Sequence, residues 1–297
     1  VIKQTLRGLR RAVISDEKYS LLRQSTLMQL QEPRNKAAVA QGTQPGTIFF
    51  ARELTSLLGC DERWLEQTAV EYRNTPEAWK RLSGLRSTGH RTDGFAKSLD
   101  VAEGFAVWAL VKQLQPRVVV ELGSQYGISA RLWKEALRRY VPDHVLYLCD
   151  IDDLRRFITP EEANFVQGDG VESLRSIIDA THVDLLINDA HPYTLIRDSV
   201  LLGKERNVGC FVFHDVSATE ARYRPFRVES AELTEAEREE RNVAFEVVGH
   251  WERHAMVDHF DPAARTQLSG VTDQWRWQIF DSLFGLGVVL RQPPAGR

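Results

Sequence analysis

Residues Val118 to Trp133 read VVVELGSQYGISARLW. Three β-branched residues lead into an acid, Glu121, and two glycines, Gly123 and Gly127, follow before the chain turns helical near Ser129. Val118-Val119-Val120 is the kind of run that is buried in a parallel sheet. Gly123 opens the turn, and Gly127 lets the backbone pass close to a ligand. A dinucleotide fingerprint, G-x-G-x-x-G, would seat a pyrophosphate on the helix amino terminus. Position 125 is glutamine, so that fingerprint fails, and the acid at the base of the loop repels a phosphate. This disfavours an NAD-dependent oxidoreductase. An acidic strand end suits a cationic or polyhydroxylated ligand instead.

Working outward, helix and strand alternate. Asp100 with Glu103 makes a capping-box-like start for a helix through Leu114, and Pro116 stops it. Later apolar runs at Val145–Leu148, Val183–Ile187, Cys210–Phe213, Phe245–Val248 and Leu286–Leu290 read as strands. Helix-compatible segments lie at Ala130–Tyr140, Val171–Ala180 and Leu195–Leu202. The spacing predicts right-handed βαβ crossovers, hence an α/β, doubly wound, Rossmann-like sheet with its ligands beyond the carboxyl ends of the strands.

The first third reads differently. Ser15 and Asp16 cap a helical segment, Asp61 caps another that carries Trp64, Leu65, Thr68, Ala69 and Tyr72 on one face, and Asn74-Thr75-Pro76 restarts a further one. Residues 1–98 are expected to form an N-terminal helical appendage, a lid or an oligomerisation element, with residues 99–297 as the main domain.

Composition agrees with a large core: 297 residues, 43% hydrophobic, with a net charge of -3. The basic cluster Lys3, Arg7, Arg10 and Arg11 is a solvated helix face, not a nucleic-acid footprint. No run of ~20 apolar residues spans a bilayer, and no signal-peptide pattern opens the chain. A first residue that is not Met suggests a trimmed or excised chain. Cys60, Cys149 and Cys210 lie far apart, which argues against a zinc knuckle or disulfide framework and for a reducing, cytoplasmic setting.

E-L-G-S-x-x-G-x-S resembles the first motif of class I S-adenosylmethionine (SAM) dependent methyltransferases, and the resemblance runs in order from about residue 99 to 291. LYLCDID carries Asp150 at the end of the second strand, which matches the acid that such enzymes place on both ribose hydroxyls. NFVQGDGVESL resembles the segment after the third strand, with Asp169 and Gly170 beside the adenine. VDLLINDAHPYTLIRDSVLL and GCFVFHDV resemble the fourth strand, its helix and the fifth strand. FGLGVVLRQ resembles the reversed last strand of a seven-stranded sheet. INDAHPY and FHDV look most like small-molecule O-methyltransferases of the catechol, caffeoyl-CoA and macrolide-sugar type and their cephalosporin-hydroxylase-like relatives.

The resemblance implies SAM as cofactor, held by Glu121, Gly123, Ser124, Gly127, Ser129, Asp150, Asp169, Gly170 and Asp189. It implies a small-molecule or sugar acceptor, with neither nucleic acid nor membrane as partner. Methyl transfer to a hydroxyl needs the acceptor positioned and its proton removed, by a base or with the help of a divalent metal. Asp189, His214 and Asp215 match positions where metal-dependent relatives carry ligands. The carboxylates suit Mg, while the imidazole suits Mn, Fe or Zn better. In the other reading Asp215 caps the following loop and His214 acts as base or hydrogen-bond donor. His191 and Asp189 are further catalytic candidates, and Tyr193 reads as packing.

Two stretches depart from a minimal domain. Residues 217–241 carry the charge run AELTEAEREER, read as a solvent-facing helix. Residues 251–280 read as an insertion, with Trp251, Trp275, Trp277 and Phe280 either stacking on an acceptor or closing the core. His250, His254 and His259 nearby are secondary base candidates. The runner-up function is a non-catalytic binding or assembly module within a larger biosynthetic protein, joined to a partner or to a second copy through residues 1–98.

Overall fold

In the computed structural model, residues 48–78, 99, 101–190, 193–216, 251–264, 267–280, 282 and 285–293 are described. The expectations for residues 1–47, the strand at 245–248, the charged helix at 217–241, and for His191 and His250 lie outside these residues, as do the side chains of Tyr193, Trp251 and His254.

Two short helices come first, α1 (Ala51–Leu58) and α2 (Glu62–Arg73). Asp61 caps α2 as its sequence suggests, accepting from the Trp64 amide at 2.7 Å. Next come α3 (Val101–Leu114), β1 (Val118–Leu122), α4 (Ile128–Tyr140), β2 (Val145–Asp150), β3 (Asn164–Gln167), α5 (Gly170–Ala180) and β4 (Leu185–Asn188). The chain continues with α6 (Tyr193–Glu205), β5 (Cys210–His214), α7 (Trp251–Phe260), β6 (Ser269–Val271), β7 (Trp275–Phe280) and β8 (Leu286–Arg291).

The strands form one sheet in the order β3-β2-β1-β4-β5-β8-β7-β6. β1 to β5 run parallel, and β8 enters antiparallel between β5 and β7. The doubly wound sheet and its reversed closing strand are therefore present. The count differs from seven: the described residues contribute eight strands. NFVQ is itself the third strand and not the segment after it. The stretch 251–280 supplies a helix and two strands of the sheet.

Period-two alternation builds both faces. Val119, Leu146, Leu148, Leu185, Ile187 and Val212 face α3 and α4, with α1 and α2 packed outside them. Val120, Leu122, Leu186, Phe211, Phe213 and Val289 face α5, α6 and α7. In WRWQIF of β7, Trp275, Trp277 and Ile279 join the second face and Phe280 the first, all under 5% exposed. Trp275, Trp277 and Phe280 therefore close the core.

α3 is buried along nearly its whole length because α1 and α2 cover the side that the sheet does not. A polar cluster fastens them: the Tyr140 hydroxyl donates to Glu71, the Trp108 ring N–H donates to Tyr140 Oη at 2.8 Å, and Lys112 reaches Glu71 and Thr68 at 3.0 and 3.1 Å. Cys149 and Cys210 are buried free thiols, and Cys60 is half-buried and also free. No described helix is long and apolar enough to cross a membrane.

Candidate functional site

The parallel register brings the carboxyl ends of β1, β2, β4 and β5 to one edge, and the polar residues of the sequence motifs gather there. Glu121 sits in β1, fully buried. Its Oε1 accepts from the Ser129 hydroxyl in the first turn of α4, while Oε2 has no hydrogen-bond partner among the described residues. Burial pushes its carboxyl up to about 8, and the neighbouring Asp189 and Asp150 add to this against the opposing pull of Ser129 and His214.

The turn between Glu121 and Ser129 is shaped by its glycines. At Gly123, φ is 85°, and a Cβ would lie 2.7 Å from the Asp189 carbonyl oxygen. The missing side chain thus lets the β1 turn touch the loop after β4. Gly127, at φ 77°, caps α4, and a Cβ there would lie 2.7 Å from Ile158 Cγ2. Both glycines serve the close approach of chain to chain. Between them Gln125, also at positive φ, donates its amide to Asp150 Oδ2 at 2.8 Å, and the Ile151 amide donates to Oδ1 at 2.8 Å. Asp150 is thereby aimed from the end of β2, and each oxygen keeps a further lone pair for a ligand.

Asp169 caps α5, its Oδ1 accepting from Val171 at 2.9 Å and Glu172 at 3.3 Å. Gly170 is buried against Leu195. Ser124 and Asn188 complete this edge. The Ser199 hydroxyl donates to Asn188 Oδ1 at 2.7 Å, which leaves Asn188 Nδ2 and Ser124 Oγ buried without a partner among the described residues. An unsatisfied buried polar atom costs about 1–3 kcal/mol. Three of them, Glu121 Oε2, Asn188 Nδ2 and Ser124 Oγ, lie in and beside the turn.

The second cluster lies at the ends of β4 and β5. His214 Nδ1 is 2.9 Å from Asp189 Oδ1 and 3.6 Å from Asp215 Oδ1. Its Nε2 is 3.7 Å from Oε2 of Glu103, a fully buried carboxylate on α3. Burial opposes charge on the ring, but the attractions of Asp189 and Asp215 outweigh it, and the imidazole titrates well above its ordinary value. Asp215 holds φ 62°, a strained setting worth about 1–2 kcal/mol. One ligand atom from each of Asp189, His214 and Asp215 fits within a 4.8 Å spread.

Glu121, Ser124, Ser129, Asp150, Asp189, His214 and Asp215 thus meet at one sheet edge. His259 does not join them: it lies near the end of α7, where its carbonyl accepts from Lys204 Nζ at 2.8 Å. Glu103, Asn188 and Ser282 belong to the neighbourhood although sequence reasoning passed over them. Asn188 carries a detectable signal, a polar residue ending an apolar strand just before Asp189. Glu103 carries none, since an acid in a first turn reads as a helix cap.

Five parallel strands with an antiparallel strand entering beside β5 make this a Rossmann-like sheet, the fold that the resemblance to class I SAM-dependent methyltransferases implies. No family model matches the chain, and no curated protein matches it. Among solved structures, similar ones include an SAH-bound methyltransferase of Podospora anserina, 13% identical over 79% of this chain and 97% of the other, at a TM-score of 0.48. An O-methyltransferase of Bacillus cereus in complex with SAH is 11% identical over 82% and 96% of the two chains, at 0.44. The O-methyltransferase TomG of Streptomyces achromogenes, in complex with SAM, is 15% identical over 82% and 96%, also at 0.44.

Proposed function

We propose that the protein is a SAM-dependent methyltransferase that methylates a hydroxyl of a small molecule or sugar. The observation that carries this reading is the set of buried, unsatisfied polar atoms, Glu121 Oε2, Asn188 Nδ2 and Ser124 Oγ, around a glycine turn beside the aimed carboxylate of Asp150. A ligand that presents an ammonium, a carboxylate and a ribose diol meets all of these demands. Glu121 takes the cationic end, Asn188 and Ser124 the carboxylate, and Asp150 the diol. Asp169, with one oxygen committed to its helix, borders the adenine together with Gly170. When bound, SAM supplies an electrophilic methyl on its sulfonium.

The Asp189–His214–Asp215 cluster lies at the acceptor end. Both ring nitrogens of His214 face carboxylates, so a protonated imidazole there has no lone pair to offer as a base. Its charge instead balances the acids around it. As the new C–O bond forms, the acceptor proton becomes strongly acidic, so a carboxylate of ordinary basicity suffices to take it. Asp189 and Asp215 supply those oxygens. With SAM bound, the methyl would pass to the acceptor oxygen while the sulfur keeps the bonding pair, and Asp189 or Asp215 would take the acceptor proton.

The same two carboxylates fit a hard divalent ion such as Mg²⁺ or Mn²⁺, which would lower the hydroxyl pKa, and His214 offers a third ligand atom within the same spread. Residues 1–98 then act as a cover or subunit contact for the domain formed by 99–297, and His191, beside Asp189 in sequence, is a further candidate base. The test is turnover: incubation with SAM and a panel of hydroxylated acceptors should yield SAH and a methyl ether. A chain that neither binds nor consumes SAM contradicts the proposal and favours a binding or assembly module.

A further inference from the structure

Glu103 is a buried ionisable group that the proposed reaction leaves unused. It lies in the first turn of α3 and is fully buried, where an unheld carboxylate costs several kcal/mol. Its two oxygens have separate jobs. Oε1 accepts from the Ser282 hydroxyl and from the Gly285 amide at 2.9 Å, tying the connection between β7 and β8 to α3. Oε2 lies 3.7 Å from His214 Nε2, within ion-pair reach but longer than a hydrogen bond, while the opposite ring nitrogen lies 2.9 Å from Asp189 Oδ1. The imidazole is strung between carboxylates that come from two different elements.

We propose that Glu103 is a positioning residue: from α3 it holds the Nε2 edge of His214, so that Nδ1 stays on Asp189 and the acceptor-end carboxylate keeps its place. A ring held at one edge only can rotate about χ2 and carry its hydrogen bond off Asp189. A ring held at both edges cannot. The contact stands independently of the methyltransferase reading, and its consequence for turnover rests on that reading.

Glu103→Gln separates the two jobs. With its amide oxygen toward Ser282 and Gly285, glutamine keeps the structural acceptor and presents an N–H₂ to His214, where the ring needs an acceptor. The experiment follows the ring ¹H–¹⁵N signals of His214 in the full chain labelled at histidine, assigned by their loss in His214→Asn, alongside melting temperature, SAH affinity and turnover. Positioning predicts a variant that melts and binds SAH like the wild type, a His214 Nε2 signal that moves or broadens away, and kcat lowered roughly 10–100-fold with little change in acceptor KM. Ser282→Ala, which removes one of two donors to Oε1, should move the same signal by less. Unchanged ring signals in Glu103→Gln, or a moved signal with full turnover, overturn the proposal. A wild type that fails to bind SAH defeats the functional reading, while the ring signals still decide whether Glu103 holds His214.

Discussion

The Ser129 hydroxyl donates to Glu121 Oε1 across the glycine turn, tying the start of α4 to the strand before it and leaving the other carboxylate oxygen buried with no hydrogen-bond partner among the described residues. The bond supports one oxygen of a group whose charge burial opposes.

Because its carboxyl is pushed from 4.5 to about 8, Glu121 binds an extra proton in the folded state between those values. Its contribution to stability is therefore complete below the unfolded value and is lost as pH rises through the folded one. Melting temperature should fall more steeply in the wild type than in Glu121→Gln between about pH 4.5 and about pH 8, and the two should run parallel above that. A cationic ligand favours the anion, so SAM affinity should rise with pH toward the same value in the wild type and much less in the variant. Parallel melting curves for the two proteins below about pH 8 would contradict this.

Asp150→Ala should remove most of the thermal shift that SAM or SAH produces. The loss of charge-assisted bonds to two hydroxyls amounts to about 1.5–3 kcal/mol each. Asp150→Asn, which keeps the Ile151 contact through its carbonyl oxygen, should retain part of the shift. Thermal shift at saturating SAH checks both variants.

Gly123→Ala forces a Cβ to 2.7 Å from the Asp189 carbonyl oxygen at a φ of 85°. Overpacking of this kind costs about 1–3 kcal/mol. The prediction is a lower melting temperature together with lost turnover, because the backbone that must yield is the one that carries Asp189. A stable, fully active variant would show that the two loops do not touch in solution.

Legibility in the sequence followed range. The turn from Glu121 to Gly127 is local, so its glycines, its acid and the strand and helix on either side can be read directly. Asp150, Asp189 and Asp215 are also readable, because each ends an apolar run and parallel strands bring such ends together. β7 is harder. WRWQIF alternates with period two, but its partners Leu286–Arg291 and Ser269–Val271 flank it in a stretch broken by turns, and the aromatics invite a loop reading. Glu103 is illegible for a stronger reason: its partners Ser282 and Gly285 lie 179 and 182 residues away. Nothing in a first-turn glutamate announces contacts at that distance.

The helices before the main domain make their own prediction. Tyr140→Phe removes the hydroxyl that donates to Glu71 and accepts from Trp108, leaving a buried ring N–H unpaired. The cost should be about 1–3 kcal/mol. Hydrogen exchange should rise first in residues 51–73, since α2 loses a link to α3 and α4. Uniform exchange change across the sheet would mean that these helices are not a separable layer.

If Asp189 and Asp215 hold a divalent ion, excess chelator should depress turnover while leaving SAH binding largely intact. Full activity in chelator would assign the two carboxylates to proton transfer alone.

The most direct test of the central claim is titration calorimetry of the full chain with SAH, the demethylated product of SAM. The account predicts one site per chain, with heat that Asp150→Ala largely removes. No heat and no thermal shift at saturating SAH or SAM would contradict it.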